Sequence, residues 1–514
     1  MVEDSQGLDV RPTLQALLIG ILTGCFASTP HFWPLVGLSV VPLFSLIEKK
    51  DVTKKSIFLC GALFGIGYSG VVLLWMWNWL ALLLVTNLPI ALSLLMAAYS
   101  WSIIVGAQAV GYGAWTIVHT VLKKRFSNRA AATALSAMFF VVAEILNAFL
   151  FQLLFLGDGG TAAPHFAYVM IGYALGQSTY ALQYAWLGGV WLLSFVAIFF
   201  NLCFWNVYSR KEWSWLVPVV ILCALPGLFL WLRERDTTVY PTMRIGFTQS
   251  NFDSNFEATP SYFRSKYSVL SNEIEELIKE NPEMIVLSEG NDYVGLDGDW
   301  GAEVKKKTAL QTLRDEGIVL VDSSVVTSSE GKKWRAEYVN AIPEQFSEKR
   351  VLLAHGEYVP YLQRMLELVV PSSSPLKQMQ VDRSFKRGEL SADRPIGNAI
   401  VGTRFCSELI SPYLYTYDAA KGATMLLNLS SHSWFIESGQ LTTWTENMGR
   451  VHAAETGRWF IQAGNRTSSF AVNNLGDIVA RSVDATPLIV DAEQRTDVTP
   501  YEFLVRAILY AIGK

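Results

Sequence analysis

The sequence predicts a membrane-embedded helical bundle joined to a layered α/β domain. Three observations point there. The 514-residue chain is 51% hydrophobic and only 17% charged, with 17 Trp and 28 Phe, and its mean hydropathy is positive, a balance common in membrane proteins and unusual in soluble ones. The composition is also uneven: apolar runs dominate up to Leu232, whereas Arg233 to Thr499 reads as ordinary globular sequence. Within that second half, short β-rich runs alternate with helical patterns.

A spanning helix needs about 20 mainly apolar residues. Candidate spans fall near 13–29, 32–48, 56–82, 88–121, 130–156, 182–206 and 214–232, with a tight turn at His31-Phe32-Trp33-Pro34 between the first two. The stretch 157–181, with Gly-Asp-Gly-Gly and Pro164, reads as interfacial or re-entrant. Met1 to Val10 is acidic and polar, unlike the basic start of a cleaved signal peptide. Lys49, Lys50, Lys54 and Lys55 follow the second span, Lys123, Lys124, Arg125 and Arg129 the fourth, and Arg210 and Lys211 precede the seventh. The positive-inside rule places these loops in the cytoplasm and delivers Arg233 to the opposite face. The apolar tail Phe503 to Ile512 is expected to form an eighth span or a membrane-associated helix. The implied organisation is a bundle over 1–234, an extracytoplasmic domain over 235–498 and a C-terminal helix over 499–514.

In the globular half, strands are expected at Arg244–Thr248, Met284–Leu287, Ile318–Asp322, Ala399–Phe405, Met425–Leu429 and Phe460–Ala463, with helices at 259–280, 302–314 and 439–456. Periodicity alone does not choose their topology. Four of the five cysteines lie inside apolar runs, where a free Cys is usually a packing residue. Only Cys406 lies in the globular half, so no disulfide is expected there. There is no CxxC pair and the six His are scattered, so neither a metal nor another cofactor is expected. A net charge of −4 gives no reason to expect a nucleic-acid partner.

The chemistry-bearing candidates start with Cys406. It ends a β-rich run, where a sharp turn can present a thiol to substrate, although position alone favours a buried structural cysteine. A thiol needs a base or positive surroundings to become a nucleophile. Glu289 ends the apolar run Met-Ile-Val-Leu-Ser-Glu, at the strand end that faces the usual ligand crevice of an open α/β sheet. Taken singly, it also suits a solvated loop acid, and Lys349 one surface lysine among many.

Taken together, these residues resemble the Glu-Lys-Cys triad of the nitrilase superfamily, and more closely its membrane-bound branch, the apolipoprotein N-acyltransferase family. Gly356-Glu357-Tyr358-Val359-Pro360 resembles the family segment whose glutamate falls eight residues after the catalytic lysine, which places that lysine at Lys349. Cys406-Ser407-Glu408 matches Cys-Tyr-Glu, Asn428 to Trp434-Phe435 matches an Asn-x-Ser-x-x-x-Trp-Phe run, and Ala453-Ala-Glu455-Thr-Gly-Arg458 matches a later element. Gly464-Asn465, Asn474 to Asp477 and, upstream, Gly176-Gln177 and Gly188 to Asn201 extend the resemblance over nearly the whole chain. Ser288 replaces a usual Pro, Leu353-Ala354-His355 a Val-Pro-Phe, Ser407 a Tyr, and His432-Ser433 an Asn-Asp pair, which marks a divergent member.

The resemblance implies a membrane bundle of about eight helices carrying a nitrilase-like αββα sandwich. It implies Glu289 as base, Cys406 as nucleophile and Lys349 as oxyanion donor. Glu357 is expected to orient Lys349, Glu408 and Glu455 to brace the site, and Trp434 to line the lipid entrance. The implied reaction moves an acyl chain from a phospholipid, phosphatidylethanolamine-like, through a thioester to the N-terminal amine of a diacylglyceryl-cysteine lipoprotein. The expected setting is the bacterial inner membrane, with a monomeric multi-pass chain whose catalytic domain is periplasmic. The alternatives are a membrane-tethered amidase or nitrilase, a catalytically impaired lipid-binding paralogue, and a papain-like Cys-His enzyme using His355 or His432.

Overall fold

The computed structural model describes residues 10–49, 51–79, 90–253, 259–294, 303–327, 333–340, 347–354, 356–367, 384–388, 394–433, 435, 438–482 and 484–512. Among them, five helices are long and apolar enough to cross a membrane: Lys54–Val72, Ala97–Arg125 within Ile90–Arg125, Arg129–Leu154, Thr179–Arg210 and Trp213–Glu234. That is fewer than the eight or so expected, and the differences have local causes. The second expected span is broken into Trp33–Ser39 and Val41–Ile47, each with a proline in its first turn, and neither half approaches the about 20 residues a span requires. The third ends at Val72 and continues as the 3₁₀ turn Leu74–Trp79. The C-terminal helix Pro500–Ala511 has 12 residues, reaching about 18 Å against a hydrocarbon thickness of about 30 Å.

Small residues let the helices of the bundle approach closely. A Cβ on Gly20 would lie 2.1 Å from the Phe64 carbonyl oxygen, and one on Gly67 would lie 2.4 Å from that of Leu17, so Val10–Ser28 and Lys54–Val72 touch backbone to backbone. Most of the irregular segment 157–178 is buried, and side chains of the bundle satisfy part of its backbone. Ile171 N–H donates to Glu144 (2.7 Å) and Gly172 N–H to Ser194 Oγ (3.0 Å), as buried irregular backbone requires.

The globular half contains two sheets. One runs in the order β12 (Leu488–Glu493), β1 (Thr242–Phe247), β3 (Met284–Val286), β4 (Val319–Thr327), β5 (Lys333–Val339). The other runs β11 (Ile478–Ser482), β10 (Ser469–Val472), β9 (Trp459–Asn465), β8 (Met425–Ser431), β7 (Ala399–Phe405), β6 (Arg394–Ile396), with the short β2 (Gln249–Ser250) beside β9. Each sheet has three central parallel strands flanked by antiparallel ones. Side-chain alternation explains the layering. Met425, Leu427 and Leu429 of β8 enter the core between the sheets, while Leu426 faces the helices outside. Helices Pro260–Ile278 and Glu303–Asp315 cover the outer face of the first sheet. Leu414–Ala420 and Gly439–Thr456 cover the second, giving the expected αββα sandwich. Gly439–Thr456 also packs on the kinked helix Thr179–Arg210, so the sandwich sits directly against the bundle.

Candidate active site

The site is built at the carboxyl ends of β3 and β7 and along β5. Cys406 follows β7 immediately and opens the 3₁₀ turn Cys406–Ile410 with φ of 38°. A non-glycine residue in this left-handed region costs about 1–3 kcal/mol and persists only where its surroundings hold it. Glu408 supplies that hold. Its fully buried carboxylate accepts from Phe405 N–H (3.0 Å) just before the Cys406 turn, and from Arg350 N–H (2.9 Å) and Val351 N–H (3.1 Å) in the segment that carries Lys349. One side chain thus ties the cysteine turn to the lysine segment. The Cys406 thiol points at the Ser431 carbonyl at the end of β8, 3.4 Å away.

Lys349 lies beside β5, its N–H donating to Arg335 O (2.9 Å) and its carbonyl accepting from Gly388 N–H (2.8 Å). Its ammonium is buried between two carboxylates, 3.1 Å from Glu289 Oε1 and 2.9 Å from Glu357 Oε1. Burial alone would push the ammonium down, but Glu289 and Glu357 outweigh it and hold Lys349 above the usual lysine range. Burial likewise works to raise Glu357, yet Lys349 and Arg335 keep its carboxyl below the ordinary value. Glu357 also accepts from Leu353 N–H (2.8 Å) through its second oxygen. Arg335, on β5, reaches the same two carboxylate oxygens: its Nε lies 2.9 Å from Glu357 Oε1 and 3.5 Å from Glu289 Oε1. Two carboxylates and two cations therefore balance one another around the thiol. Burial first, then the negative charge of Glu289, pushes the Cys406 thiol up to about 11, against the pull of Lys349.

Glu289, Arg335, Lys349, Glu357 and Cys406 all line one cavity. Its other wall comes from the bundle, including Trp75, Ile104, Phe151 and Phe155, with Phe435 and Tyr358 between. The polar floor of the site thus opens onto an apolar passage bounded by membrane helices. Not every expected residue reaches it. Glu408 braces from behind. Glu455 lies on Gly439–Thr456, fully buried, bonded to His452 Nδ1 (2.7 Å) and Thr416 Oγ1 (3.1 Å). His452 Nε2 in turn contacts the Leu409 carbonyl (2.8 Å), so Glu455 meets the Cys406 turn only at second hand. Trp434 and His355 lie outside the described residues. His432 is buried, does not line the cavity, and is pushed down to about 3 by that burial, which gives a Cys-His arrangement no support. Two cavity residues were missed by the sequence reading. Arg335 is a lone arginine on a strand, with no spacing signal of its own. His165 has both ring nitrogens occupied, by Ser411 Oγ (3.1 Å) and Tyr413 Oη (3.0 Å).

The departures from the family pattern fit locally. Ser288 Oγ accepts from Asn291 Nδ2 (3.0 Å), and Ser407 lines the cavity 3.5 Å from Val351 O. Among the described residues, no group of three His, Cys, Asp or Glu side chains is arranged to hold a metal ion.

Residues 19–203 match the model of the apolipoprotein N-acyltransferase N-terminal domain, and residues 321–501 that of the carbon-nitrogen hydrolase. The chain thus carries an apolipoprotein N-acyltransferase N-terminal domain match followed by a carbon-nitrogen hydrolase match, and it is similar to curated apolipoprotein N-acyltransferases over nearly its whole length. Lys349 and Cys406 fall inside the second match and Glu289 before it. Over 521 aligned positions the chain is 24% identical to the apolipoprotein N-acyltransferase of Pseudomonas aeruginosa strain LESB58, covering 97% of this chain and 92% of the relative. It is 23% identical over 461 positions to that of Gloeobacter violaceus, covering 88% and 82%. Among solved structures, an amidase from Nesterenkonia sp. AN1 is 14% identical and covers 54% of this chain and 99% of that one, with a TM-score of 0.38. At such identities this chain is a distant relative of those enzymes.

Proposed function

We propose that this protein transfers an acyl chain from a phospholipid to the N-terminal amine of a diacylglyceryl-cysteine lipoprotein, by a ping-pong route through a thioester on Cys406. The observation that carries this reading is the cavity itself. A thiol beside two carboxylates and two cations forms one end, and apolar side chains of membrane helices form the other. A lipid ester can reach such a thiol from the bilayer without passing through water.

Because the thiol is held up to about 11, it rests protonated at neutral pH and needs a base in the transition state. Glu289 takes the Sγ proton as the sulfur attacks the ester carbonyl. Lys349 and the backbone amides of the nucleophile turn stabilise the oxyanion. Collapse expels the lysophospholipid alkoxide, which recovers the proton from Glu289 and leaves the acyl chain on sulfur. The α-amine of the acceptor then attacks the thioester and loses its proton to Glu289. The sulfur leaves, is reprotonated, and the amide is released. Glu357 orients Lys349 through the 2.9 Å contact, and Glu408 and Glu455 brace the turn.

Two variants test this reading in the purified chain given phospholipid and a diacylglyceryl-cysteine peptide. Cys406→Ser should form no acyl adduct and no N-acylated peptide, since a hydroxyl is far less acidic than a thiol. Lys349→Ala should acylate about 10²–10³-fold more slowly, as other oxyanion donors do when removed. Near-normal transfer by Cys406→Ser in a folded sample would overturn the assignment. Release of free fatty acid with no amide formed would favour a hydrolase instead.

The proposed setting is the bacterial inner membrane, with the sandwich on the periplasmic side, a phosphatidylethanolamine-like donor and a monomeric enzyme. In support, the basic loops gather at one end of the bundle, where Lys123 pairs with Glu48 and Arg129 with Glu212. Arg233 leaves at the other end and donates to Gln183 Oε1 (2.7 Å) and to the Asn474 carbonyl of the sandwich. A reporter active only in the periplasm, fused after Asp236, should be active. Activity of a cytoplasm-only reporter there would reverse the topology.

A further inference from the structure

A second cavity lies at the end of the bundle opposite the sandwich. Its volume is about 290 Å³, and its walls carry three cations, Lys123, Arg129 and Arg210, together with Thr133 and Asn206, and no carboxylate. It sits among the ends of Ile90–Arg125, Arg129–Leu154 and Thr179–Arg210. The acids that offset two of the cations grip them from outside the cavity: Glu48 pairs with Lys123 and His119, and Glu212 with Arg129. Arg210 has no hydrogen-bond or ion-pair partner among the described residues. Both Arg210 and Arg129 act electrostatically on the Lys123 ammonium. Glu48 and Glu212 offset two of the three cations, which leaves a net positive charge at the cavity for an anion to offset.

Two further features suit an anion. The first turn of Arg129–Leu154 lines the cavity through Arg129, Ala132 and Thr133, and a helix N-terminus adds partial positive charge. Asn206 and Thr133 are buried, and the amide nitrogen of Asn206 lies 3.4 Å from Thr133 Oγ1. That long contact leaves both groups with hydrogen-bonding capacity to spare. The mouth is flanked by Phe126, which is exposed, and Leu202 lies deeper. Apolar groups beside a cluster of cations at a helix end match the junction of a lipid headgroup with its chains.

We propose that this cavity binds a phosphate-type anion, supplied by the headgroup of an anionic phospholipid or by free phosphate. It is separate from the catalytic cavity and shares no lining residue with it. The guanidinium of Arg210 is its principal ligand, with Lys123, Arg129, Asn206 and the helix N-terminus completing the cradle.

The test uses the purified full chain in neutral detergent, with dihexanoyl phosphatidic acid and inorganic phosphate as probes and dihexanoyl phosphatidylcholine as the control. Binding is read by native mass spectrometry and by the shift in melting temperature. Phosphatidic acid should bind and stabilise the protein more than phosphatidylcholine does. Arg210→Gln and Arg129→Gln should each weaken that binding about tenfold, the size of one lost hydrogen bond to a charged group. Both side chains are exposed, so neither change should cost the fold. Displacement of phosphatidic acid by inorganic phosphate would identify a site for the free anion. Variant-sensitive lipid binding that phosphate does not displace would identify a headgroup site. Equal affinity in wild type, Arg210→Gln and Arg129→Gln, or no binding of either anionic probe, would overturn the proposal.

Discussion

Both cations of the cavity that holds Cys406 reach for the same oxygen of Glu289. Lys349 Nζ lies 3.1 Å and Arg335 Nε 3.5 Å from Oε1. Against its burial, Lys349 and Arg335 hold the Glu357 carboxyl below its ordinary value and so keep the Glu357–Lys349 contact charged at lower pH. Arg335→Gln removes part of that support, and the sign follows: Glu357 protonates at a higher pH. The acidic limb of kcat/KM for acylation should move up by about one pH unit, the low end of the effect of a neighbouring opposite charge. Arg335→Lys should restore most of it. A variant that was merely damaged would lose rate equally at every pH, and an unmoved limb would remove Arg335 from the mechanism. This residue also marks the limit of what the sequence makes legible. Glu289, Lys349, Glu357, Cys406 and Glu408 sit in ordered motifs and were readable. Arg335 enters only because β5 pairs antiparallel with β4 and is followed by the segment that carries Lys349, a tertiary fact with no local signature.

Among the elements, the helix Thr179–Arg210 departs most from its sequence reading. It was expected as one plain span over 182–206, but its helical geometry fails at Gly188 and Gly189, the latter with φ of 61°. The kink lets the membrane helix receive the sandwich. A Cβ on Gly189 would lie 2.7 Å from the Tyr501 ring and 2.9 Å from Glu455 Oε2, so the glycine seats both the C-terminal helix and the brace behind the nucleophile turn. Gly189→Ala combines left-handed strain with overpacking and should destabilise the protein by about 2–5 kcal/mol, read as a lower melting temperature in detergent. A melting temperature unchanged within error would mean the kink relaxes freely. Gly-Gly is visible in sequence, but a pair of glycines inside an apolar run says nothing of what approaches it. An apolar run says equally little of its packing at the C-terminus. Pro500–Ala511 is apolar enough to suggest a span, yet Glu502 is buried against Arg458 (3.3 Å) while Phe503, Leu504 and Ile508 remain exposed. It is an amphipathic helix fixed to the sandwich by an ion pair, with its apolar face turned outward.

Across the whole molecule, the change of composition near Leu232 marks where the sequence changes character, but the packing does not divide there. Leu441, Trp444, Met448 and Val451 of Gly439–Thr456 belong to the same buried cluster as Tyr168, Tyr173, Leu182 and Ala185 of the membrane half. Trp444 stacks on Tyr168 with ring centroids 5.5 Å apart and meets Tyr173 edge-on at 6.3 Å. Gln440 Nε2 donates to Ser28 Oγ (3.1 Å) and Val71 O (2.9 Å), and Arg450 Nε to Gly476 O (2.7 Å) while its Nη2 reaches Thr179 Oγ1 (2.8 Å). Each large apolar side chain fully buried at this seam contributes about 1.5–3 kcal/mol, part of which the bundle supplies. A sandwich cut from the chain at residue 235 would present this face to water as one contiguous apolar patch, well beyond what a soluble monomer carries. It should therefore run as aggregates on size exclusion and bind a hydrophobic dye, whereas the full chain in detergent should run as a single species. The bundle also touches the end of the Cys406 turn, through His165 to Ser411 Oγ (3.1 Å), so any monomer recovered should also fail to present Cys406 correctly. A cut domain that stayed monomeric, melted cooperatively and formed an acyl adduct at the wild-type rate would show that the bundle delivers lipid and does nothing for the fold. The shared cluster argues instead that bundle and sandwich fold as one body around the cavity between them.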